Sequence, residues 1–298
     1  MDAVPAALRA EFGRRAFLRA CALDVQVRKP GNVSVASPGH GMRAWHFKAS
    51  AAAAAGPISS AGAPVGERIE VAVRATWQAA RCNTNLGIVL LCAPLLAAYE
   101  RSGGTGGVEA LRAAVREVLE SLTVHDARAA YRAIALARPG GLGRAPEQDV
   151  AEAPTVNLRE AMALAADRDR IAFQYLHAYP DVFDLGLPAF LAARDGGAAR
   201  AMQAAFLEFV AALPDSHIVR KHGDAVAQCV IVEALPWRTR SQRGELLDQD
   251  PGFARWDEDL KARGLNPGTS ADLSVAVALA AALAQPQQAT AGAPPRFY

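Results

Sequence analysis

Apolar positions along this chain recur at spacings of three and four, and sustained alternation with period two is scarce. The pattern predicts about eleven helices, at 3–27, 42–54, 66–80, 84–101, 107–121, 124–137, 157–178, 187–212, 216–235, 253–263 and 270–284. We therefore expect an all-α protein in which residues 1–285 form one compact domain around a central polar pocket. The Pro/Ala/Gln-rich tail, 286–298, is expected to be mobile. No internal repeat is visible.

Two of these helices break their own pattern. The stretch "CNTNLGIVLLCAPLLAAY" (82–99) opens with Asn83, Thr84 and Asn85 and is otherwise almost wholly apolar. Counting at helical spacing from Asn85 gives Val89, Cys92, Leu96 and Tyr99; from Thr84 it gives Ile88, Leu91 and Leu95. Both faces are apolar, so the helix should be buried all round and its polar first turn should face a cavity or the edge of the core. Capping explains one such residue well and three poorly. Pro94 lacks an N–H and should kink this helix. In "NLREAMALAADRDRIAFQYL" (157–176), Leu158, Met162, Ala166, Asp169, Phe173 and Leu176 follow one stripe, which sets Asp169 among apolar residues. A carboxylate there needs a cation, a metal or several donors. Sequence neighbours Arg168 and Arg170 do not face it on a helix.

Polar loops rich in Gly and Pro separate the helices, at 28–42, 138–150, 213–223 and 263–273, and all-helical enzymes usually build chemistry where such loops meet helix ends. His217, Arg220 and Lys221 stand at i, i+3 and i+4, a cationic face suited to a polyphosphate, although a merely solvated face is the commoner meaning of such a cluster. "LNPGTSADL" (265–273) reads as a loop entering a helix that Thr269 or Ser270 caps, with Asp272 in its first turn. "KPGN" (29–32) offers Lys29 and Asn32 to a loop. "PGGLG" (139–143) lets backbone approach a ligand without being a Walker A motif, and Glu147 and Asp149 follow it. Glu67 opens the helix after "PVG", where the helix dipole favours an acid.

Composition narrows the picture. A net charge of +2 over 298 residues leaves no nucleic-acid footprint. Only Lys29, Lys48, Lys221 and Lys261 are lysines among 32 basic residues, so each is notable. The four cysteines show no CxxC spacing and read as reduced, buried thiols, not as a zinc site. The apolar runs Leu86–Tyr99 and Val275–Ala284 fall short of the ~20 residues of a membrane span, and the N-terminus lacks an apolar signal core. A soluble cytoplasmic protein is expected, with its oligomeric state open.

In order, "KPGNV" (29–33), "GERI" (66–69), "NTNLGI" (83–88), "PGGLG" (139–143), "DRDRIAFQY" (167–175), "DSHIVRK" (215–221) and "LNPGTSADL" (265–273) resemble the triphosphoribosyl-dephospho-CoA synthase family over roughly residues 15–285. The resemblance implies an all-α transferase using ATP and Mg²⁺: the 2′-hydroxyl of 3′-dephospho-CoA displaces adenine from the ribose C1′ of ATP. On it, Asp169 and Asp272 are the candidate catalytic acids, and Glu67, Asp167 and Asp169 the candidate metal ligands. Lys29, Asn32, Asn83, Asn85, Gly140, Gly141, His217, Arg220, Lys221, Asn266 and Ser270 are the candidate substrate-binding residues.

One departure stands out. Where the citrate-lyase branch carries an acid before the Met after the KPG loop, this chain has "HGM" (40–42), as do relatives linked to tetrahydromethanopterin-type cofactors. A different acceptor is therefore an alternative. So are an Mg²⁺-dependent N-glycoside or ADP-ribosyl hydrolase and a non-catalytic helical nucleotide-binding protein.

Overall fold

The computed structural model describes residues 5–104 and 106–285, and it is all-α. The first six helices are α1 (Ala6–Gln26), α2 (Ala44–Ile58), α3 (Val65–Ala80), α4 (Leu86–Arg101), α5 (Gly107–Glu120) and α6 (Val124–Ala137). After a long loop come α7 (Leu158–Ala163), α8 (Arg170–His177), α9 (Leu187–Ala193), α10 (Ala198–Ala212), α11 (Ser216–His222), α12 (Asp224–Gln242), α13 (Pro251–Ala262) and α14 (Gly268–Leu283). The expected tail at 286–298 lies outside the described residues. No strand forms among the described residues; Gly39 and Met42 make an isolated bridge.

Three of the eleven expected helices are each broken in two, which accounts for the count of fourteen. The 157–178 helix is interrupted before Asp169, which caps α8. The 187–212 helix breaks at Gly197 (φ +94°) and the 216–235 helix at Gly223 (φ +85°). A π-helical turn, Asp181–Gly186, leads into α9.

Helices α4 and α14 pack against each other at the centre, with α1, α5 and α10 around them. Both are buried on every face: Leu91, Cys92 and Leu95 in α4, and Val275, Val277 and Leu279 in α14, have no exposed surface. A second cluster, built on Phe206, Phe253 and Leu260, joins α10, α12 and α13. Helix α4 runs uninterrupted through Pro94. That proline has no N–H for the carbonyl of Leu90. The buried hydroxyl of Tyr175 donates to Leu90 O at 2.7 Å, and Tyr179 donates to Leu91 O at 2.9 Å.

Several motif residues serve the fold. Arg68 of "GERI" is 1% exposed and clasps Glu100 through two hydrogen bonds of 3.0 and 2.7 Å. Asp126, at the start of α6, accepts from Gly66 N at 2.7 Å and from Thr123. In "DRDRIAFQY", Arg170 and Gln174 both bind Asp181. Gly31 turns the chain at φ +83°, and a side chain there would collide with Pro267 and the Leu265 carbonyl, so the "KPGN" and "LNPG" loops lie against one another. Of the cysteines, all of which are free, Cys21 and Cys92 are buried, but Cys229 is exposed, contrary to expectation. No helix among the described residues is long and apolar enough to cross a membrane.

Candidate active site

The N-terminal ends of α4, α8, α11 and α14 converge on one cavity of about 290 Å³. The end of α1, the "KPGN" loop and the 138–150 loop close it. Helix starts carry unsatisfied N–H groups and a positive dipole end, so their convergence favours an anionic ligand.

One end of the cavity is acidic. Asp24 in the last turn of α1 is buried, and its Oδ1 lies 2.9 Å from Lys29 Nζ. Lys29 donates to Asn32 Oδ1 and Asn32 donates to Asn266 Oδ1, each at 2.9 Å. Asn32 and Asn266 line the cavity; Lys29 is wholly buried behind them. Its ammonium is paired with Asp24, and Lys29, expected among the substrate-binding residues, does not itself line the cavity. Asp272, in the first turns of α14, presses on Gly87 of α4 so closely that a Cβ there would overlap its carboxylate. The glycine of "NLGI" is what lets the acid in. Burial, then the neighbouring charges of Asp24 and Asp215, push the Asp272 carboxyl well above the usual carboxylate range, against the pull of Lys29.

Another part of the wall is basic. Arg220 donates to Asp169 Oδ2 at 2.7 Å, while Asp169 Oδ1 accepts from Ile171 N and Ala172 N at 2.9 and 3.1 Å as the cap of α8. The cation Asp169 needs is therefore supplied from 51 residues away, not from its own turn. Lys221 is exposed, with its side chain running beside Gly140. Gly141 packs on the Arg220 carbonyl. Burial, followed by Lys221 and Arg220, lowers His217 to about 3, so it is a neutral imidazole and not the third cation that its spacing suggested.

The polar turn before α4 divides its labour. Asn83 accepts from Leu86 N at 3.3 Å, and Thr84 donates to Ser50 Oγ at 2.6 Å. Asn85 lines the cavity, and neither atom of its amide has a hydrogen-bond partner.

Some expected residues stand elsewhere. Glu67 and Asp167 are exposed and do not line the cavity, so the trio with Asp169 is not brought together. No group of three His, Cys, Asp or Glu able to hold a metal occurs among the described residues. Ser270 faces away: its N–H and hydroxyl both donate to Asp215, at 2.7 and 2.8 Å, tying α14 to α11. Burial raises the Asp215 carboxyl, and these bonds partly offset the rise. Asp24 was missed by the sequence reading, although Phe17, Cys21 and Asp24 share a helix face and the reasoning applied to Asp169 would have found it.

The family model for ATP:dephospho-CoA triphosphoribosyl transferase (CitG) matches residues 10–291. Among solved structures, a crystal structure from Archaeoglobus fulgidus, provisionally described as triphosphoribosyl-dephospho-CoA synthase, aligns with a TM-score of 0.61 at 25% identity. That match covers 78% of this chain and 96% of the other. No curated protein sequence matches significantly. Taken with the all-α architecture and the ordered motifs around one cavity, these matches show that the chain belongs to the ATP:dephospho-CoA triphosphoribosyl transferase family and is a transferase of the triphosphoribosyl-dephospho-CoA synthase type.

Proposed function

We propose that the cavity takes ATP as donor and transfers its triphosphoribosyl group to the 2′-hydroxyl of 3′-dephospho-CoA, releasing adenine. The observation that carries this reading is a single cavity lined by two buried or half-buried acids, Asp24 and Asp272, and by Arg220, with Lys221 beside Gly140 of its wall. The triphosphate lies toward Arg220, Lys221 and the Gly140–Gly141 backbone. The ribose C1′ lies toward Asp24 and Asp272. The N9–C1′ bond breaks with its electron pair passing to adenine, and the acceptor oxygen bonds to C1′. Asp272, held above the usual carboxylate range, supplies the proton to adenine. Asp24 faces the developing oxocarbenium ion and takes the hydroxyl proton. A proton passing from Asp24 to Asp272 restores the starting state. Asp169 is a positioning residue that holds Arg220.

The residues present fit Mg²⁺. This ion takes one or two carboxylates and completes its shell with water and phosphate oxygens. Asp24 is the hard oxygen donor of the cavity that would hold it, while Asp272 keeps its proton as the acid. When bound, the ion would neutralise phosphate charge beside these acids.

The direct test is adenine release from ATP and Mg²⁺ with and without dephospho-CoA. Release that requires the acceptor supports the transferase. Equal release without acceptor would mean that water is the acceptor and the protein a hydrolase. A second reading keeps the donor and changes the acceptor. It is favoured by Met42, which lines the cavity directly after Gly41 with no acid before it. It predicts release with a pterin-type acceptor instead.

A further inference from the structure

Asn85 is the one cavity-lining amide whose oxygen and nitrogen both lack a partner among the described residues. It is 4% exposed. A buried amide that makes no hydrogen bond to the protein destabilises it, and its place in the cavity lining points to a partner bound there. Its neighbours do not need it. It stands at the N-cap of α4 but makes no capping bond, and Asn83 meets the Leu86 N–H instead.

The chemistry of the amide limits the ligand. It presents one donor and one acceptor side by side. A phosphate offers acceptors only and would leave Oδ1 facing negative oxygens. Adenine offers both on one edge, with N7 accepting and the 6-amino group donating, the pairing that Asn makes with adenine elsewhere. The adjoining wall is apolar, with Leu86, Leu90, Ile134 and Met162 available to a flat ring. Two residues on, Gly87 touches Asp272, the acid read as protonating the departing base.

We propose that Asn85 selects the donor base: its Nδ2–H donates to adenine N7 and its Oδ1 accepts from the 6-amino group. The inference rests on the reading of ATP as donor and adds to it the residue that discriminates the nucleotide. As the N9–C1′ electron pair moves onto adenine, N7 becomes a better acceptor and the bond to Nδ2 strengthens. Inosine presents an acceptor in place of the 6-amino donor, so the same amide cannot satisfy both ring atoms.

The test compares ATP, ITP and 2′-deoxy-ATP as ligands by calorimetry, and as donors to dephospho-CoA, for the parent, Asn85→Ala and Asn85→Asp. The parent should prefer ATP over ITP by about tenfold to a hundredfold. Asn85→Ala should bring that preference to within about threefold while leaving the ATP to 2′-deoxy-ATP ratio unchanged, because only base contacts are lost. Asn85→Asp should weaken ATP binding, since it keeps an acceptor and loses the N7 donor. The empty Asn85→Ala protein should melt no lower than the parent, because an unsatisfied amide has been removed. A lower melting temperature with ATP and ITP affected equally would overturn the proposal and make Asn85 structural. So would a change confined to the 2′-deoxy-ATP ratio, which would put the contact on ribose. If calorimetry shows base selection through Asn85 but no acceptor gives turnover, the transfer reading fails and this one stands. Turnover with selection intact in Asn85→Ala is the reverse.

Discussion

Asp272 owes its character to its surroundings and not to its sequence context. A carboxyl near the N-terminal end of a helix should ionise more easily, favoured by the dipole. Here burial and the charge of Asp24 outweigh that effect and raise it. Between the ordinary carboxylate range and this raised value, the unfolded chain has lost the proton that the folded one retains, so stability falls as pH rises. Asp272→Asn should therefore flatten that decline in a pH series of melting temperatures, and should lower kcat by about a hundredfold or more. His217 works in the opposite direction. Its folded value is about 3 against the usual 6.5, so the unfolded chain binds a proton first as pH drops. That part of the stability is present above about pH 6.5 and is lost as pH falls toward 3. The acid arm of the same series should shrink in His217→Gln. Asp169 shows how a sound inference can reach a different partner: the need for a cation was readable from the apolar stripe, while Arg220 lies too far along the chain to be named. Arg220→Ala should weaken ATP binding several-fold in calorimetry, and Asp169→Asn should weaken it less, because it loosens the guanidinium without removing it.

Helix type was readable nearly everywhere from spacing; helix continuity was not. Gly223 and Gly197 are visible breakers, yet apolar residues on both sides of each kept the period and hid the break. Asp169 can be an interior residue or a cap, and periodicity alone does not distinguish the two. The α4 helix illustrates the reverse case. Pro94 takes the helical donor from the Leu90 carbonyl, and Tyr175 supplies another, so α4 stays continuous through the proline. Tyr175→Phe leaves the Leu90 carbonyl without its donor in the core. We expect it to cost about 1–3 kcal/mol in denaturant unfolding. Its effect on KM for ATP should be slight, because Tyr175 is not among the residues that line the cavity.

Six of the seven motifs become one site because α4, α8, α11 and α14 all begin at the same place, while "GERI" stays outside it. Their order was evident in the sequence and carried the family resemblance. Which members face the ligand was not. Glu67, Ser270 and Lys29 lie within those motifs yet serve solvent, Asp215 and Asp24 respectively. Long-range pairs such as Asn32 with Asn266, across 234 positions, depend on the packed molecule. The meeting of Asp24, Asp272 and Arg220 in one cavity is a property of that packing, and the proposed transfer chemistry rests on it. Mass spectrometry of the product formed from ATP, Mg²⁺ and dephospho-CoA reads that chemistry in one step. The account predicts dephospho-CoA enlarged by one triphosphoribosyl unit, with one free adenine per adduct. An unchanged acceptor alongside free adenine, or ATP consumed only at its phosphates, would contradict it.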